Sequence, residues 1–197
     1  MEKIIPDIVF ATNNAHKLEE ARAILKGSVN VLSLADINCD DDIPETADTL
    51  EGNALIKARW VKEKYGYDCF ADDTGLMVDA LNSAPGVYSA RFAGDHCSPA
   101  DNIALLLQKM EGEHDRSARF CTVVALIWKG REYLMEGEVK GRIAEGNCGD
   151  SGFGYDPVFI PENSSLSFAE MSPEAKNSIS HRGRAMAKLA RFFDSAE

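Results

Sequence analysis

Apolar runs of strand length alternate along this chain with segments in which apolar residues recur at helical spacing. The strand-like runs are separated by polar turns and cover residues 4–11, 29–34, 119–128, 132–144 and 158–160. The turn Lys129-Gly130-Arg131 separates the two longest runs, which predicts a β-hairpin there.

Helical periodicity predicts four α-helices. They begin at Ala15, at residue 48, after the cap-like Ser98-Pro99 and after Ser180. Their apolar faces are formed in order by Leu18, Ala21, Ile24 and Leu25, by Leu50, Ala54, Ala58, Val61 and Tyr65, by Ile103, Leu106, Leu107 and Met110, and by Met186, Leu189, Phe192 and Phe193.

The stretch Cys69-Phe70-Ala71-Asp72-Asp73-Thr74-Gly75-Leu76 ends an apolar run in two adjacent carboxylates. If the run is a strand, the aspartates lie at its C-terminal end, where α/β proteins place their chemistry. Successive strand residues point to opposite faces, so Asp72 and Asp73 need not act alike. Two interpretations stay open: a magnesium site with a water-activating base, or an acidic turn closed by Gly75.

Cations occupy unusual places at two of the predicted helix starts. Lys17 lies in the first turn after Thr12-Asn13-Asn14, and His181 and Arg182 lie in the first turn after Ser180. A cation there opposes the helix dipole unless an anion is near. The two starts together suggest an anion at each, whereas a plain helix cap explains the first one equally well. Glycine fingerprints of dinucleotide and Walker-type loops are absent from the first turn.

A lysine also falls on the predicted inward face of the helix over residues 48–65. Lys57 lies about 20° from Leu50 on a helical wheel, with Asn53 beside it. Such a lysine must snorkel, pair with an anion or contact a ligand. The acidic segment 36–45 before this helix ends at Glu45 and is typical of a solvated loop.

Glycines alternate with aromatic residues in Gly149-Asp150-Ser151-Gly152-Phe153-Gly154-Tyr155-Asp156-Pro157. Glycine allows close approach of a ligand to the backbone, and an aromatic ring on such a loop can stack on a flat ligand. The alternative is that these rings fill the core beneath the loop.

Composition excludes several classes of function. The 197 residues carry a net charge of −11, which argues against nucleic acid polymers and anionic membranes as main partners. The five cysteines form no C-x-x-C pair, which argues against a zinc ribbon or a thioredoxin site. With no signal-peptide pattern and no run of membrane-spanning length, we expect reduced thiols in the cytoplasm.

Taken together, the motifs resemble the inosine triphosphate pyrophosphatase family, the Ham1-like or RdgB-like nucleotide hydrolases. The resemblance covers nearly the whole chain and rests on Ala11-Thr12-Asn13-Asn14-Ala15-His16-Lys17, Glu45-Thr46, Glu51-Gly52-Asn53-Ala54-Leu55-Ile56-Lys57-Ala58-Arg59, Ala71-Asp72-Asp73-Thr74-Gly75-Leu76, Ala84-Pro85-Gly86-Val87-Tyr88-Ser89-Ala90-Arg91, Gly152-Phe153-Gly154-Tyr155-Asp156-Pro157 and Ser180-His181-Arg182-Gly183. Two departures are small: Asn13 stands where glycine is common, and Thr74 where serine is common.

The resemblance implies an α/β fold in one domain over residues 1–197. Its mixed central sheet splits into two lobes flanked by helices, with the active site in the cleft between the lobes. It further implies a homodimer that needs Mg²⁺ and hydrolyses ITP, dITP and XTP to the monophosphate and pyrophosphate. Such an enzyme removes deaminated purines from the nucleotide pool.

The same resemblance assigns roles to individual residues. Glu45, Asp72 and Asp73 hold Mg²⁺, and Asp73 is the general base. The phosphate-binding residues are Thr12, Asn13, Asn14, Lys17, Lys57 and Lys176. The substrate-binding residues on the base side are Thr74, Phe153, Gly154, Tyr155, Asp156, His181 and Arg182.

Three rival interpretations remain at this stage. A phosphatase with an aspartyl-phosphate intermediate suits Asp72-Asp73-Thr74-Gly75 superficially, but that chemistry usually has its two aspartates one residue apart near the first strand. A non-catalytic nucleotide sensor would bind ITP tightly without releasing pyrophosphate. A Maf-like pyrophosphatase would perform related chemistry on other nucleotides.

Overall fold

The computed structural model describes residues 5–195, over which the chain forms five α-helices and seven β-strands. The helices are α1 (Ala15–Ile24), α2 (Leu50–Tyr65), α3 (Pro99–Lys109), α4 (Pro173–Ile179) and α5 (His181–Ser195). The strands are β1 (Asp7–Phe10), β2 (Asn30–Leu32), β3 (Cys69–Val78), β4 (Pro85–Gly86), β5 (Ser117–Trp128), β6 (Arg131–Ile143) and β7 (Phe159–Pro161). Ile4, the start of the first predicted strand, lies outside the described residues.

One mixed sheet contains all seven of these strands. Its order is β2-β1-β3-β5-β6-β7, and β4 pairs with β3. The β1–β2 and β1–β3 pairs are parallel, whereas the β3–β4 and β6–β7 pairs are antiparallel. The predicted α/β class and mixed sheet are therefore confirmed, as is the hairpin of β5 and β6.

The described residues divide into two compact units. The first unit contains residues 5–73, 122–137 and 182–195, and the second contains residues 74–121 and 138–181. In the first unit, α1 and α5 pack their predicted apolar faces on a core that includes Phe10, Phe70 and Leu126. In the second unit, the apolar face of α3 packs on a core that includes Phe120 and Phe159.

Helix α2 shows how local sequence fixes the elements near the candidate site. The Thr49 hydroxyl caps its start by accepting the Gly52 N–H, and Gly66 ends it with φ of 79°, a left-handed conformation that glycine adopts easily. Its predicted stripe is buried from Leu50 to Val61. The lysine and asparagine predicted on this face, Lys57 and Asn53, are buried with the stripe.

The prediction that Asp72 and Asp73 end a strand is wrong. Strand β3 continues through both aspartates to Val78, since it lies between β1 and β5 in the sheet and its residues Leu76 and Met77 also pair with β4. The alternative of an acidic turn is wrong as well, since Gly75 is buried inside the strand. Both carboxylates therefore lie in the middle of β3, where a buried ionised group needs a partner.

Helix α4 has no counterpart among the predicted elements. Its seven residues carry no apolar stripe, so periodicity does not detect it. Local capping explains its start, because the Ser172 hydroxyl accepts the Ala175 N–H and Pro173 occupies the first helical position. Among the helices in residues 5–195, none combines the length and apolar character that a bilayer crossing requires.

Candidate active site

Asp72 is a fully buried carboxylate that joins two helix starts. Lys17 in the first turn of α1 donates to its Oδ1 at 2.9 Å, and Arg182 in the first turn of α5 donates to its Oδ2 at 2.9 Å. The two cations that oppose their helix dipoles thus share one anion supplied by the protein. Burial raises the pKa of Asp72, but the charges of Lys17, Arg182 and Lys57 outweigh burial and hold it below its ordinary value.

Glu20 is a further partner of Arg182 that the sequence interpretation missed. Its Oε2 accepts a hydrogen bond from Arg182 Nη1 at 2.6 Å. Burial lowers the pKa of Arg182, but Asp72 and Glu20 reverse the effect and raise it. Glu20 lies three residues after Lys17 on α1, so helical spacing could have placed it beside Lys17.

Asp73 has different partners from Asp72, as the alternation of strand side chains predicts. Its Oδ2 accepts a hydrogen bond from Asn53 Nδ2 at 3.2 Å, and its Oδ1 lies 3.8 Å from Lys57 Nζ. Burial is the largest influence on its pKa, and together with the negative charge of Glu45 it outweighs the lysines. The pKa of Asp73 is therefore raised, whereas that of Asp72 is lowered.

The Lys57 ammonium faces the carboxylates of both Glu45 and Asp73. Its Nζ donates a hydrogen bond to Glu45 Oε1 and also faces Asp73 Oδ1. Carboxylate oxygens are the ligands that Mg²⁺ prefers, so this pair fits a divalent ion. Asp72 fits less well, because both of its oxygens already accept hydrogen bonds from cations.

The turn before α1 has the predicted strand–turn–helix layout. Asn14 caps α1, since its Oδ1 accepts the Lys17 N–H at 3.2 Å, and its own N–H donates to the Thr12 hydroxyl at 3.1 Å. Asn13 and Asn14 are exposed. The start of α1 therefore presents polar groups to solvent close to the Lys17–Asp72 pair, an arrangement that suits an anion.

A second group of predicted site residues lies in the second unit and is organised by Asp156. The Asp156 Oδ2 accepts hydrogen bonds from Phe153 N–H at 2.9 Å and from Lys176 Nζ at 2.7 Å. The Lys176 ammonium also lies 4.7 Å from the centroid of the Phe153 ring. Gly152 has φ of 76°, and a Cβ there would lie 2.3 Å from Asp156 Oδ2, so only glycine fits this turn.

Two other predicted site residues of the second unit, His181 and Tyr155, are buried. The His181 ring stacks on Phe120 with centroids 4.4 Å apart, and the Tyr155 hydroxyl donates to the Ser89 carbonyl at 2.8 Å. Tyr155 thus fills the core beneath its loop, which was the alternative interpretation of that ring. Phe153 is partly exposed and keeps a surface for stacking.

The structure therefore separates the predicted site residues into two sets. The first unit contains Thr12, Asn13, Asn14, Lys17, Glu45, Lys57, Asp72, Asp73 and Arg182. The second unit contains Thr74, Phe153, Gly154, Tyr155, Asp156, Lys176 and His181. Lys176 belongs with the residues predicted to hold the base, and Arg182 belongs with the carboxylate cluster of the first unit.

Sequence comparison gives the family, because the Ham1 family profile matches residues 8–192. The chain belongs to the Ham1 family. A Ham1 relative from Flavobacterium johnsoniae, named dITP/XTP pyrophosphatase, is 54% identical over 182 residues, which are 92% of this chain and 95% of the relative. A protein of the same name from Porphyromonas gingivalis is 54% identical over 193 residues, covering 98% of this chain and 97% of that protein.

A solved Ham1 structure agrees with the fold. The HAM1 protein from Coxiella burnetii superposes with a TM-score of 0.89 at 37% sequence identity, covering 98% of this chain and 100% of that protein. The resemblance drawn from the sequence motifs is thereby confirmed at the level of family and fold.

Proposed function

We propose that this chain hydrolyses ITP, dITP and XTP to the nucleoside monophosphate and pyrophosphate. The names of its Ham1 relatives support the substrate class. The observation that carries the chemistry is the unequal state of two adjacent buried carboxylates. Asp72 is neutralised by two cations, whereas Asp73 has a raised pKa.

In this proposal, Asp73 is the general base that takes a proton from the attacking water. In the metal-free protein, burial and the charge of Glu45 raise the pKa of Asp73, which makes it a stronger proton acceptor than Asp72. Asp72 stays ionised and holds Lys17 and Arg182 in place. Spacing along β3 does not separate the two roles, but their electrostatic surroundings favour this assignment.

The phosphates are proposed to bind to the cations and polar turn of the first unit. Lys17 and Lys57 are largely buried, and their charges are directed at the central carboxylates. The turn Thr12-Asn13-Asn14 adds hydroxyl, amide and backbone donors at the start of α1. Triphosphate hydrolysis depends mainly on such charge neutralisation and positioning. Lys176, which the resemblance also assigns to the phosphates, pairs with Asp156 in the second unit and is grouped there with the base-side residues.

Mg²⁺ is the proposed cofactor. Glu45 and Asp73 have the right donors, since both face the Lys57 ammonium, and Asp72 is the third proposed ligand. When bound, the ion would neutralise phosphate charge and polarise the phosphoryl oxygens. Lys57 balances the two carboxylates before substrate arrives.

The purine base is proposed to bind to the residues grouped around Asp156. Phe153 stacks on the ring, while Asp156 and His181 read its edge. Arg182, which the resemblance adds to this set, donates to Asp72 and Glu20, so we propose that it orders the carboxylate cluster instead. The other base-side residues are Thr74, Gly154 and Tyr155. Support comes from Asp156 itself, which fixes the Phe153 backbone and the Lys176 ammonium at once.

The family resemblance also leads us to propose a homodimer in the cytoplasm. Sedimentation equilibrium of the purified protein tests the assembly, since a dimer has twice the 21.5 kDa mass of one chain.

A nucleotide panel tests the proposed function most broadly. ITP, dITP, XTP, GTP, ATP and pyrimidine triphosphates are incubated with Mg²⁺, and pyrophosphate and orthophosphate are measured separately. We expect pyrophosphate release from ITP, dITP and XTP. Orthophosphate as the primary product, or tight ITP binding without turnover, would replace the proposal by a phosphatase or a sensor.

A further inference from the structure

We propose that Asp41 is a positioning residue that anchors the segment carrying Glu45 and so sets the affinity of the site for its divalent ion. The proposal rests on the proposed role of Glu45 as a ligand. The anchored segment is residues 39–47, called the strap below.

The strap lies along α2 as an extended segment, although it is neither helix nor strand over residues 40–47. Its odd-numbered residues are buried or partly buried, while the even-numbered ones are exposed. This alternation is that of an extended chain with one face against a surface. Cys39 and Ile43 pack on a core that includes Ala58 and Val61 of α2.

The strap runs antiparallel to α2, and polar contacts join the two along its length. The Ala47 N–H donates to Asn53 Oδ1 at 2.9 Å near the start of the helix, and Glu45 pairs with Lys57 one turn later. Asp41 lies near the end of the helix, where its Oδ2 accepts from Lys64 Nζ at 2.6 Å.

Asp41 is the most heavily bonded member of the strap. Besides Lys64, its Oδ2 accepts from the Tyr65 hydroxyl at 2.8 Å and from Trp60 Nε1 at 3.4 Å. Hydrogen bonds to a charged acceptor are stronger than neutral ones, so Asp41 is well suited to hold the strap on the helix. Sequence alone predicted only a solvated acidic loop here.

The strap has little slack between its two fixed ends. The six steps from Asp41 to Ala47 span roughly 20 Å when extended. The eleven steps from Asn53 to Lys64 rise roughly 17 Å along a helix. Because the two lengths nearly match, the strap cannot shift along α2 while Asp41 and Ala47 both hold it. Release of Asp41 frees one end and allows that shift. Glu45, in the middle of the strap, then loses its alignment with Lys57 and Asp73.

A double-mutant cycle on the full-length enzyme tests the anchor. The variants are Asp41→Ala, Glu45→Gln and the pair, with the milder Tyr65→Phe as a second probe of the same contact. We expect Asp41→Ala to raise the Mg²⁺ concentration that gives half-maximal activity about tenfold. This is the lower end of the loss in metal affinity that is typical when a residue that orients a metal ligand is removed. Tyr65→Phe should raise it less, and kcat at saturating Mg²⁺ should change less than the metal dependence does. In the Glu45→Gln background, Asp41→Ala should have no further effect.

The matched control is Asp42→Ala. Asp42 is the next residue of the strap and is exposed, so its loss removes the same charge without releasing the anchor. We expect its metal dependence to equal that of the wild type. If both substitutions shift the metal dependence equally, long-range charge rather than anchoring is responsible, and the proposal is wrong.

Two measurements without nucleotide separate positioning from catalysis. Calorimetric titration with Mn²⁺ should show weaker binding to Asp41→Ala than to Asp42→Ala. Hydrogen exchange should be faster at the Ala47 amide in Asp41→Ala and unchanged in Asp42→Ala.

The outcomes distinguish this inference from the proposed function. If the wild type shows no pyrophosphatase activity, the proposed function fails, and the Mn²⁺ titration still decides whether Asp41 sets metal affinity. If the wild type is active but Asp41→Ala keeps wild-type metal dependence, or its effect adds to that of Glu45→Gln, the anchor is overturned.

Discussion

The carboxylate of Asp72 accepts 2.9 Å hydrogen bonds from Lys17 and Arg182, whereas that of Asp73, the next residue in β3, lies 3.8 Å from Lys57. Both are buried, yet burial is outweighed by cations at Asp72 and prevails at Asp73. One carboxylate is thereby fixed as an anion, and the other is left as the better proton acceptor.

Replacing the proposed base should remove activity without harming the fold. We expect Asp73→Asn to lower kcat by on the order of 10²–10⁴, as is typical for losing a general base. Steady-state kinetics with ITP measures this. Near-normal turnover of Asp73→Asn, combined with loss of turnover in Asp72→Asn, would reverse the two assignments.

The same variant should be more stable than the wild type at neutral pH. Because the folded-state pKa of Asp73 is raised, its ionisation disfavours the folded state once the pH exceeds the ordinary value of 3.8. Thermal melts from pH 4 to 8 without added metal should show a stability gain in Asp73→Asn that grows as the pH rises above 3.8 and becomes constant once the pH exceeds the folded-state pKa. A variant less stable than the wild type at pH 7 would contradict this account.

Removing the charge of Asp72 should destabilise the protein. Asp72→Asn leaves Lys17 and Arg182 without their shared counter-charge, and breaking a buried ion pair commonly costs about 3–5 kcal/mol. The pKa of Asp72 is lowered, so its contribution is complete above 3.8 and declines as the pH falls toward the folded-state value. Urea unfolding at pH 7 and pH 3 should show a smaller loss at pH 3. Asp48→Asn, at an exposed position, is the control and should change little.

Chelation of Mg²⁺ should stop turnover, because the carboxylates would otherwise repel the triphosphate. We expect Glu45→Gln to raise the Mg²⁺ requirement by about 10- to 100-fold, the range for weakened metal sites. Activity titrated against free Mg²⁺ in a metal buffer measures both effects. Full activity in excess EDTA would exclude the metal from the reaction.

Base selectivity should follow hydrogen-bond polarity. Hypoxanthine and xanthine present a C6 oxygen and an N1–H donor, whereas adenine presents the reverse pattern. Two buried mismatches at roughly 1–3 kcal/mol each disfavour ATP by about 30-fold to more than 1,000-fold. Phe153→Ala should weaken all purines alike, since every purine has a π-face. Equal kcat/KM for ATP and ITP would overturn this arrangement of the pocket.

Local patterns in the sequence predicted those parts of the site that lie on one regular element. The apolar stripe of α2 placed Lys57 and Asn53 on its inward face, and the structure buries both. The strand–turn–helix around Thr12-Asn13-Asn14 was likewise predictable from the local sequence, since asparagine is a typical N-cap residue and Asn14 caps α1.

Features that depend on distant partners could not be predicted in this way. The middle of β3 has the composition of a turn, and its extended conformation depends on pairing with strands that are distant in sequence, such as β5. The contact of Glu20 with Arg182 joins residues 162 positions apart, and nothing local to Arg182 indicates it. Asp41 looked like part of a charged loop, because its donors lie on the next helix.

The position of water attack tests the central claim most directly. Hydrolysis of ITP in ¹⁸O-water forms one new oxygen–phosphorus bond, and mass spectrometry shows which product carries it. Attack at the α-phosphorus, with Asp73 accepting the proton and intact pyrophosphate leaving, predicts ¹⁸O in the monophosphate and none in the pyrophosphate. Label in the pyrophosphate, or stepwise release of two orthophosphates, would contradict the account.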